Sequence, residues 1–168
     1  LYPPEQLIFG IFVNKHGVRF INEDVYHSKT AMACLEQPDS IAYCIADDSF
    51  FARPRFGWQE LVDAWETIAE MEQGLGLPNG SLEKTIADYN AFAEKGNDED
   101  FHKSPKWMKP LIHPPYAALD FRLGHAKYAG FPLGGLRVTI DAEVLGADGS
   151  TIPGLFAAGG CASNIAQD

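Results

Sequence analysis

Paired glycines near the end of the chain are the residues whose type and spacing first point to chemistry. Gly159 and Gly160 follow Leu155–Ala158, an apolar run typical of a strand buried on both faces. Because glycine has no Cβ atom, a ligand can lie directly against the backbone just beyond the end of such a strand. The residues leave an alternative open, which is an ordinary hairpin and turn without a ligand.

A second glycine pair, Gly134–Gly135, stands before Val138–Ile140, a predicted strand start. Asp148–Gly149 is a hairpin-type turn signal between apolar runs. Pro153–Gly154 is then predicted to turn the chain into the buried run that ends at Gly159.

The stretch from Gly134 to Gly160 resembles the last part of the flavin-binding domain in the FAD-dependent fumarate reductase and succinate dehydrogenase flavoprotein superfamily. The resemblance rests on GGL, a strand with the terminal Asp141, the D-G turn and IPGLFAAGG. Within the superfamily it is closest to the branch that holds the 3-ketosteroid dehydrogenases. It implies FAD as the cofactor, and it implies contacts of FAD with Gly134, Gly135, Ala158, Gly159 and Gly160.

Tyr26 and His27 are the candidate proton-transfer residues. The preceding stretch, GIFVNKHGVRFINED at 10–24, is similar to the VN..G.RF.NE opening of the substrate-capping domain in the same superfamily. Fumarate reductases have a catalytic Arg where His27 stands, and the ketosteroid dehydrogenase branch has an active Tyr that Tyr26 matches. The resemblance therefore implies that Tyr26 moves the proton and that His27 or Tyr128 tunes it. A packing role for Tyr26 and an exposed polar role for His27 are the alternatives.

The resemblance also bears on the substrate. Phe131-Pro132-Leu133 stands where fumarate reductases place a substrate-binding His. An aromatic side chain there suits an apolar small molecule better than a dicarboxylate, and Tyr128 is expected to face the same pocket.

Helices and strands must both contribute to positioning these residues. The predicted strands are Leu7–Val13, Arg19–Ile21 and Ile41–Ala46, and the predicted helices run from Asn22 to Pro38, across Trp58–Trp65, and onward from an N-cap at Ser81. Thr67–Met71 suits either a strand edge or another helical turn. The last helix has an apolar stripe predicted to be core, which consists of Leu82, Ile86, Tyr89 and Phe92.

We therefore expect an α+β chain in two parts. Residues 1–115 form a substrate-capping domain with a small sheet and helices, and residues 116–168 supply strands of an incomplete Rossmann-like FAD domain. A strand followed by G-x-G-x-x-G is missing, since the near match at 74–80 has Asn79 in place of the third glycine. The expectation is a fragment whose amino-terminal dinucleotide-binding part lies upstream.

Composition limits the other function classes. The net charge of −10, from 13 basic and 23 acidic residues, argues against a nucleic-acid partner. No apolar run is long enough for a transmembrane helix, and no signal peptide is visible. The three cysteines lack metal spacing and suit buried thiols in a reducing, cytoplasmic setting. The histidines are scattered, so no metal is assigned. The charged run at 97–100 is predicted to be a solvated loop.

The leading functional hypothesis is an FAD-dependent oxidoreductase that transfers hydride between flavin and a substrate C–C bond next to a carbonyl, with a 3-ketosteroid as the candidate substrate. A fumarate reductase-like reductase of small acids is the first alternative. A binding domain without catalysis is the second.

Overall fold

The computed structural model divides into two compact units, Leu1–Tyr128 (unit 1) and Ala129–Asp168 (unit 2). It describes residues 4–54, 59–128 and 134–162, with side chains from Leu7 onward. Helices and strands are both present, as the predicted α+β class requires. The strand Tyr116–Asp120 lies in unit 1, although the sequence analysis placed these residues in the second domain.

The described residues form the following helices and strands. They are α1 (Pro4–Phe9), β1 (Ile11–Asn14), α2 (His27–Glu36), β2 (Ala42–Asp47), β3 (Leu61–Trp65), α3 (Ile68–Leu75), α4 (Ser81–Lys95), β4 (Tyr116–Asp120), β5 (Glu143–Leu145) and β6 (Thr151–Phe156).

Unit 1 is built on an antiparallel sheet of four strands in the order β1-β2-β4-β3. Every residue of β1, β2 and β4 is buried, whereas the edge strand β3 is largely exposed. Successive strand residues point to opposite faces of the sheet. Ile11 and Val13 accordingly join the cluster that includes Met71 and Leu82 of α3 and α4. Phe12 joins the opposite cluster, which includes Cys34 of α2. The sheet therefore lies between two helical layers.

The start of the chain corrects two predictions. Leu7–Val13 is not one strand, because α1 ends at Phe9 and β1 begins at Ile11. An apolar run of this length does not distinguish strand from helix. Asn22 does not cap α2 either, since that helix begins at His27 with Tyr26 as its N-cap residue. Asn22 instead accepts a hydrogen bond from the Asp24 amide at 2.8 Å.

The helix predicted across Trp58–Trp65 is wrong, and of the two alternatives for Thr67–Met71 the structure has the helical one. Leu61–Trp65 is the strand β3 rather than a helix, because pairing with β4 outweighs the helical spacing of its apolar residues. Trp58 lies outside the described residues. Thr67 begins the helix α3 through a capping box with Glu70, in which each side chain accepts a bond from the other residue's amide. The T-x-x-E spacing is a recognised helix start that the sequence analysis did not use.

A helix is present where Ser81 was predicted to cap one, but α4 begins at Ser81 itself, so Ser81 is not its cap. Gly80 is the N-cap residue, and the Ser81 hydroxyl has no hydrogen-bond partner in the described chain. The buried carboxylate of Glu72, on α3, accepts bonds from the amides of Gly80, Leu82 and Glu83 at 2.7, 2.6 and 3.0 Å. A negative group at this end is also favoured by the helix dipole. Glu72 therefore fastens α3 to α4.

Unit 2 contains the predicted hairpin, with β5 and β6 antiparallel. At its turn the Gly149 amide donates to the Gly146 carbonyl at 3.0 Å, and the φ angle of Gly149 is +83°. Val138 pairs with Val144 in an isolated bridge and is not part of one of the strands given above.

The second strand of this hairpin corrects the prediction of a doubly buried strand. Pro153 and Gly154 lie inside β6, where the pairing register shifts, instead of turning the chain. Leu155 is 43% and Phe156 62% exposed. A two-stranded sheet leaves its faces uncovered unless other elements cover them, so burial is not achieved by this hairpin alone.

A membrane-spanning helix was not expected. Among the described residues, none of the helices combines the length and the apolar character that crossing a bilayer requires.

We predict that Glu72→Gln lowers the free energy of unfolding by about 1–3 kcal/mol, because one amide-accepting oxygen becomes a donor and the charge is lost. Urea unfolding of the variant measures this. Glu94→Gln is the control, because Glu94 is exposed near the other end of α4 and should change stability by less than about 0.5 kcal/mol. Equal stabilities of the two variants would contradict the assigned role of Glu72.

Candidate active site

Tyr26 and His27 stand together at the amino-terminal end of α2. The Tyr26 carbonyl accepts bonds from the Lys29 and Thr30 amides at 2.9 and 3.3 Å, which fixes the first turn of the helix. The Tyr26 side chain is 64% exposed, and its ring stacks on His27 with centroids 6.3 Å apart and an interplanar angle of 26°. This exposure does not support a packing role for Tyr26 within the described chain.

The imidazole of His27 favours its neutral form. His27 is exposed, but part of its ring is shielded from water, and this desolvation lowers the pKa of His27 below the ordinary value. An imidazole with a lowered pKa is largely uncharged at neutral pH, and one ring nitrogen is then free to accept a hydrogen bond. Tyr26 and His27 thus combine a hydroxyl with a neutral imidazole.

Four buried charged side chains, two of which come shortly before this pair in the chain, form a group that we call the ionic network. It consists of Arg19, Glu23, Asp98 and Lys103. Arg19 donates two bonds to the Glu23 carboxylate at 2.9 and 2.8 Å and one to Asp98 at 2.8 Å. Lys103 lies 3.2 Å from Glu23 and donates to the Gly10 carbonyl at 2.8 Å. The network joins the segment before α2 to the start of β1 and to the loop at residues 98–103.

The charges of the ionic network balance, two positive against two negative. Burial would lower the pKa of Arg19, but its bonds to Glu23 and Asp98 raise that pKa well above its ordinary value. Burial lowers the pKa of Lys103, and Glu23 offsets part of that effect. Burial raises and Arg19 lowers the pKa of Asp98, and the net direction is down. A buried ion pair needs such compensation, because an unpaired charge in the interior is costly.

Sequence reasoning missed two members of this network. Asp98 was assigned to a solvated loop but is 1% exposed, and Lys103 is 2% exposed. Asp98 also accepts bonds from the Phe101 and Lys103 amides at 3.2 and 3.1 Å, so it organises its own loop. Arg19 and Glu23, in the RF.NE motif, were the only residues in the sequence that could have indicated the network. Charged residues in a segment that becomes buried need partners, and this need could have directed attention to Asp98 and Lys103.

Tyr128 is held elsewhere in unit 1. Its hydroxyl donates to the Phe121 carbonyl and lies beside the Cys34 thiol, and burial raises its pKa. Cys34 is seven residues after His27, about 10 Å along α2. In the described part of the chain the contacts of Tyr128 do not bring it to Tyr26, so His27 is the neighbour that the structure provides.

Gly135 is required by the packing of unit 2. A Cβ atom at Gly135 would lie 2.6 Å from the Cys161 carbonyl oxygen and 2.8 Å from the Ala162 carbonyl carbon. The Leu136 amide donates to the same Cys161 oxygen at 2.8 Å, which holds the two segments side by side. A Cβ atom at Gly134 would meet no atom of the chain within 4 Å.

Ala158, Gly159 and Gly160 follow β6, as the sequence pattern predicted. Gly159 starts a 3-10 turn, Gly159–Cys161, with a φ angle of +64° and with Ala158 as its N-cap residue. Cβ atoms at Gly159 and Gly160 would contact nothing within 4 Å. Their backbone is therefore open to a neighbour outside the described chain.

One expectation about this site falls outside the described residues. Phe131, Pro132 and Leu133 lie outside the described residues. No group of three or more potential metal-ligating His, Cys, Asp or Glu side chains occurs in the portion that is described.

Comparison with protein families shows to which family the chain belongs. A family model described as "FAD binding domain" matches residues 10–167. The chain belongs to this FAD binding domain family. The resemblance drawn from the sequence is thereby confirmed, and FAD is the cofactor of the family.

Relatives of this FAD binding domain chain are FAD-dependent oxidoreductases. Urocanate reductase from Eggerthella lenta is 33% identical over 162 residues, which cover 89% of this chain and 26% of that protein. The crystal structure of 3-ketosteroid-delta4-(5alpha)-dehydrogenase from Rhodococcus jostii RHA1 is 40% identical with a TM-score of 0.75, over 95% of this chain and 34% of that one. A flavocytochrome c3 fumarate reductase structure is 28% identical with a TM-score of 0.64, over 96% and 29% of the two chains. This chain thus spans about a quarter to a third of their length.

The residues of unit 2 fit a flavin cofactor unequally. Gly159 and Gly160 have the open backbone that close approach of FAD requires, and Gly134 has it as well. Gly135 does not, since the space that its Cβ atom would fill is taken by the chain itself. Gly135 therefore serves folding, and the other three glycines are the better candidates for cofactor contact.

We predict that Gly135→Ala lowers the unfolding free energy of the apoprotein by about 1–3 kcal/mol, because the added methyl group overlaps backbone atoms that cannot yield freely. Gly160→Ala is the matched control. Gly160 has open space and no left-handed φ angle, so its variant should unfold at the same urea concentration as the parent. A tolerated Gly135→Ala would show that the Cys161 segment moves aside.

Proposed function

We propose that this chain is part of an FAD-dependent dehydrogenase or reductase that acts on a C–C bond next to a carbonyl, with a 3-ketosteroid as the substrate. The observation that carries the proposal is the exposed, stacked pair of Tyr26 and His27 at the start of α2. This pair offers a hydroxyl and a neutral imidazole where an apolar ring system can lie against aromatic faces.

The character of the pair favours an apolar substrate over a dicarboxylate. A dicarboxylate is best held by guanidinium groups that bind each carboxylate through two bonds. The guanidinium closest in sequence on the amino-terminal side is Arg19, which is buried and bonded to Glu23 and Asp98. In agreement, the ketosteroid dehydrogenase structure that this chain resembles at 40% identity contains 4-androstene-3,17-dione.

The residues of the chain would handle the proton of the reaction. FAD, when bound, supplies the hydride acceptor or donor. In the dehydrogenase direction Tyr26 would take the proton from the carbon next to the one that loses hydride, while its own proton passes to His27. A tyrosine hydroxyl is a poor base at neutral pH unless a neighbour accepts its proton, and we assign that role to His27, whose ring stacks on Tyr26.

The two units would have separate roles. We assign unit 1 to capping the substrate, because it carries Tyr26 and His27 on a sheet with helices on both faces. Unit 2 would supply the glycine-rich turn to the flavin domain. The dinucleotide-binding part would come from sequence elsewhere in the full-length protein.

Reduction of a small unsaturated acid is the second candidate function. The 33% identity to a urocanate reductase and the likeness to a fumarate reductase favour it. His27 in the position of the catalytic Arg speaks against fumarate itself, because a neutral imidazole gives less charge stabilisation than a guanidinium.

We predict that Tyr26→Phe in the full-length, FAD-loaded protein lowers kcat by about 10²- to 10⁴-fold, the usual contribution of a general acid or base. Stability and flavin content should stay unchanged, because the hydroxyl is exposed. Steady-state kinetics on the best substrate, read as kcat, checks this.

Tyr128→Phe is the control with the same chemical change. Its hydroxyl bonds to the Phe121 carbonyl, so the variant should lose stability and retain kcat. If Tyr26→Phe keeps the parent's kcat, Tyr26 does not move the proton.

A further inference from the structure

A cleft separate from Tyr26 and His27 runs along α4. Described residues enclose about 370 Å³ between this helix, the turn at Val18 and the loop at Phe101. The volume falls within the usual range of small-molecule sites. Its accessible apolar surface comes from Val18, Phe92 and Phe101, because Tyr89, although it lines the cleft, is only 1% exposed. Phe92 and Phe101 are aromatic, and aromatic walls favour a flat ring.

The floor of the cleft carries no uncompensated charge. Arg19 lines it, with its guanidinium carbon 4.9 Å from the centre of the Phe101 ring and 5.1 Å from that of Tyr89. The same guanidinium is bonded to Glu23 and Asp98 at 2.8 Å. These bonds balance the charge of Arg19, so the floor of the cleft attracts anions only weakly. The bonds also hold the guanidinium in place against the aromatic rings.

The rim of the cleft is negative. Lys84 donates to Asp88, and this bond, together with the weaker field of Asp100, raises the pKa of Lys84. Asp100 lines the cleft and is exposed, as Asp88 and Lys84 are. Two carboxylates therefore face one ammonium group, and Asp88 is the one already paired. Asp100 is left to interact with a cation from outside.

We propose that this cleft binds a small arylalkylammonium ligand, an aromatic ring joined by a short chain to a protonated amine. The ring lies against Phe92 and Phe101, and the ammonium group lies against Asp100. The net charge of −10 attracts such a cation at long range. The site is distinct from the proposed substrate pair, so the two proposals can fail independently.

Isothermal titration of the full-length protein with three probes of similar size tests the proposal. These are 2-phenylethylamine, the neutral 2-phenylethanol and the anionic phenylacetate. The amine should bind most tightly and phenylacetate most weakly, and added salt should weaken only the amine. Asp100→Asn should weaken the amine about two- to fivefold, as expected for an exposed ion pair, and leave 2-phenylethanol unchanged.

Two variants control for position. Glu99→Gln removes a neighbouring carboxylate that instead lies 3.8 Å from Lys95, and it should not change the affinity. Val18→Trp places an indole in the cleft from a residue that is 50% exposed, and it should abolish binding of both amine and alcohol with an unchanged unfolding midpoint. The proposal is overturned if the amine does not saturate, if phenylacetate binds equally well, or if Val18→Trp still binds the amine.

Discussion

The buried ionic network of Arg19, Glu23, Asp98 and Lys103 is the constraint on which the rest of unit 1 depends. Glu23 also accepts the Phe12 amide at 3.2 Å, so the first strand of the sheet is bonded to the segment that leads into α2. Removing one member would leave its partner charged and buried, which costs about 3–5 kcal/mol. The network thereby sets where α2 begins, and with it where Tyr26 and His27 stand.

Strands and helices that fill the core could be predicted from the sequence, because the spacing of their apolar residues indicates which side chains are buried. The strand at Ala42–Asp47 and the stripe of Leu82, Ile86 and Tyr89 on α4 are examples. Elements that depend on contacts with residues far away in the sequence could not be predicted in this way. Leu61–Trp65 has helical spacing but pairs as an edge strand, and Glu72 caps a helix that begins nine residues later.

The candidate site shows the same division between local and distant information. Ala158–Gly160 could be placed after a strand from local pattern, and Tyr26 and His27 from a resemblance. The difference between Gly135, which is closed by Cys161, and Gly160, which is open, depends on a segment 26 residues away from Gly135 and has no local signal. The sequence around Asp98 predicts a solvent-exposed carboxylate, and only the contact with Arg19 in the structure explains why Asp98 is buried.

Our central proposal is that this chain serves an FAD-dependent enzyme that oxidises or reduces a C–C bond next to a carbonyl in an apolar substrate. Its most direct test is anaerobic mixing of the full-length, FAD-loaded protein with a saturated 3-ketosteroid, followed by the absorbance of oxidised flavin. For the dehydrogenase direction we predict that the flavin bleaches at a rate no slower than kcat, for the reductase direction that an unsaturated 3-ketosteroid reoxidises the reduced flavin, and in both cases that succinate has no effect. A protein without flavin, or a flavin that ignores 3-ketosteroids and is reoxidised from its reduced form by fumarate, would contradict it.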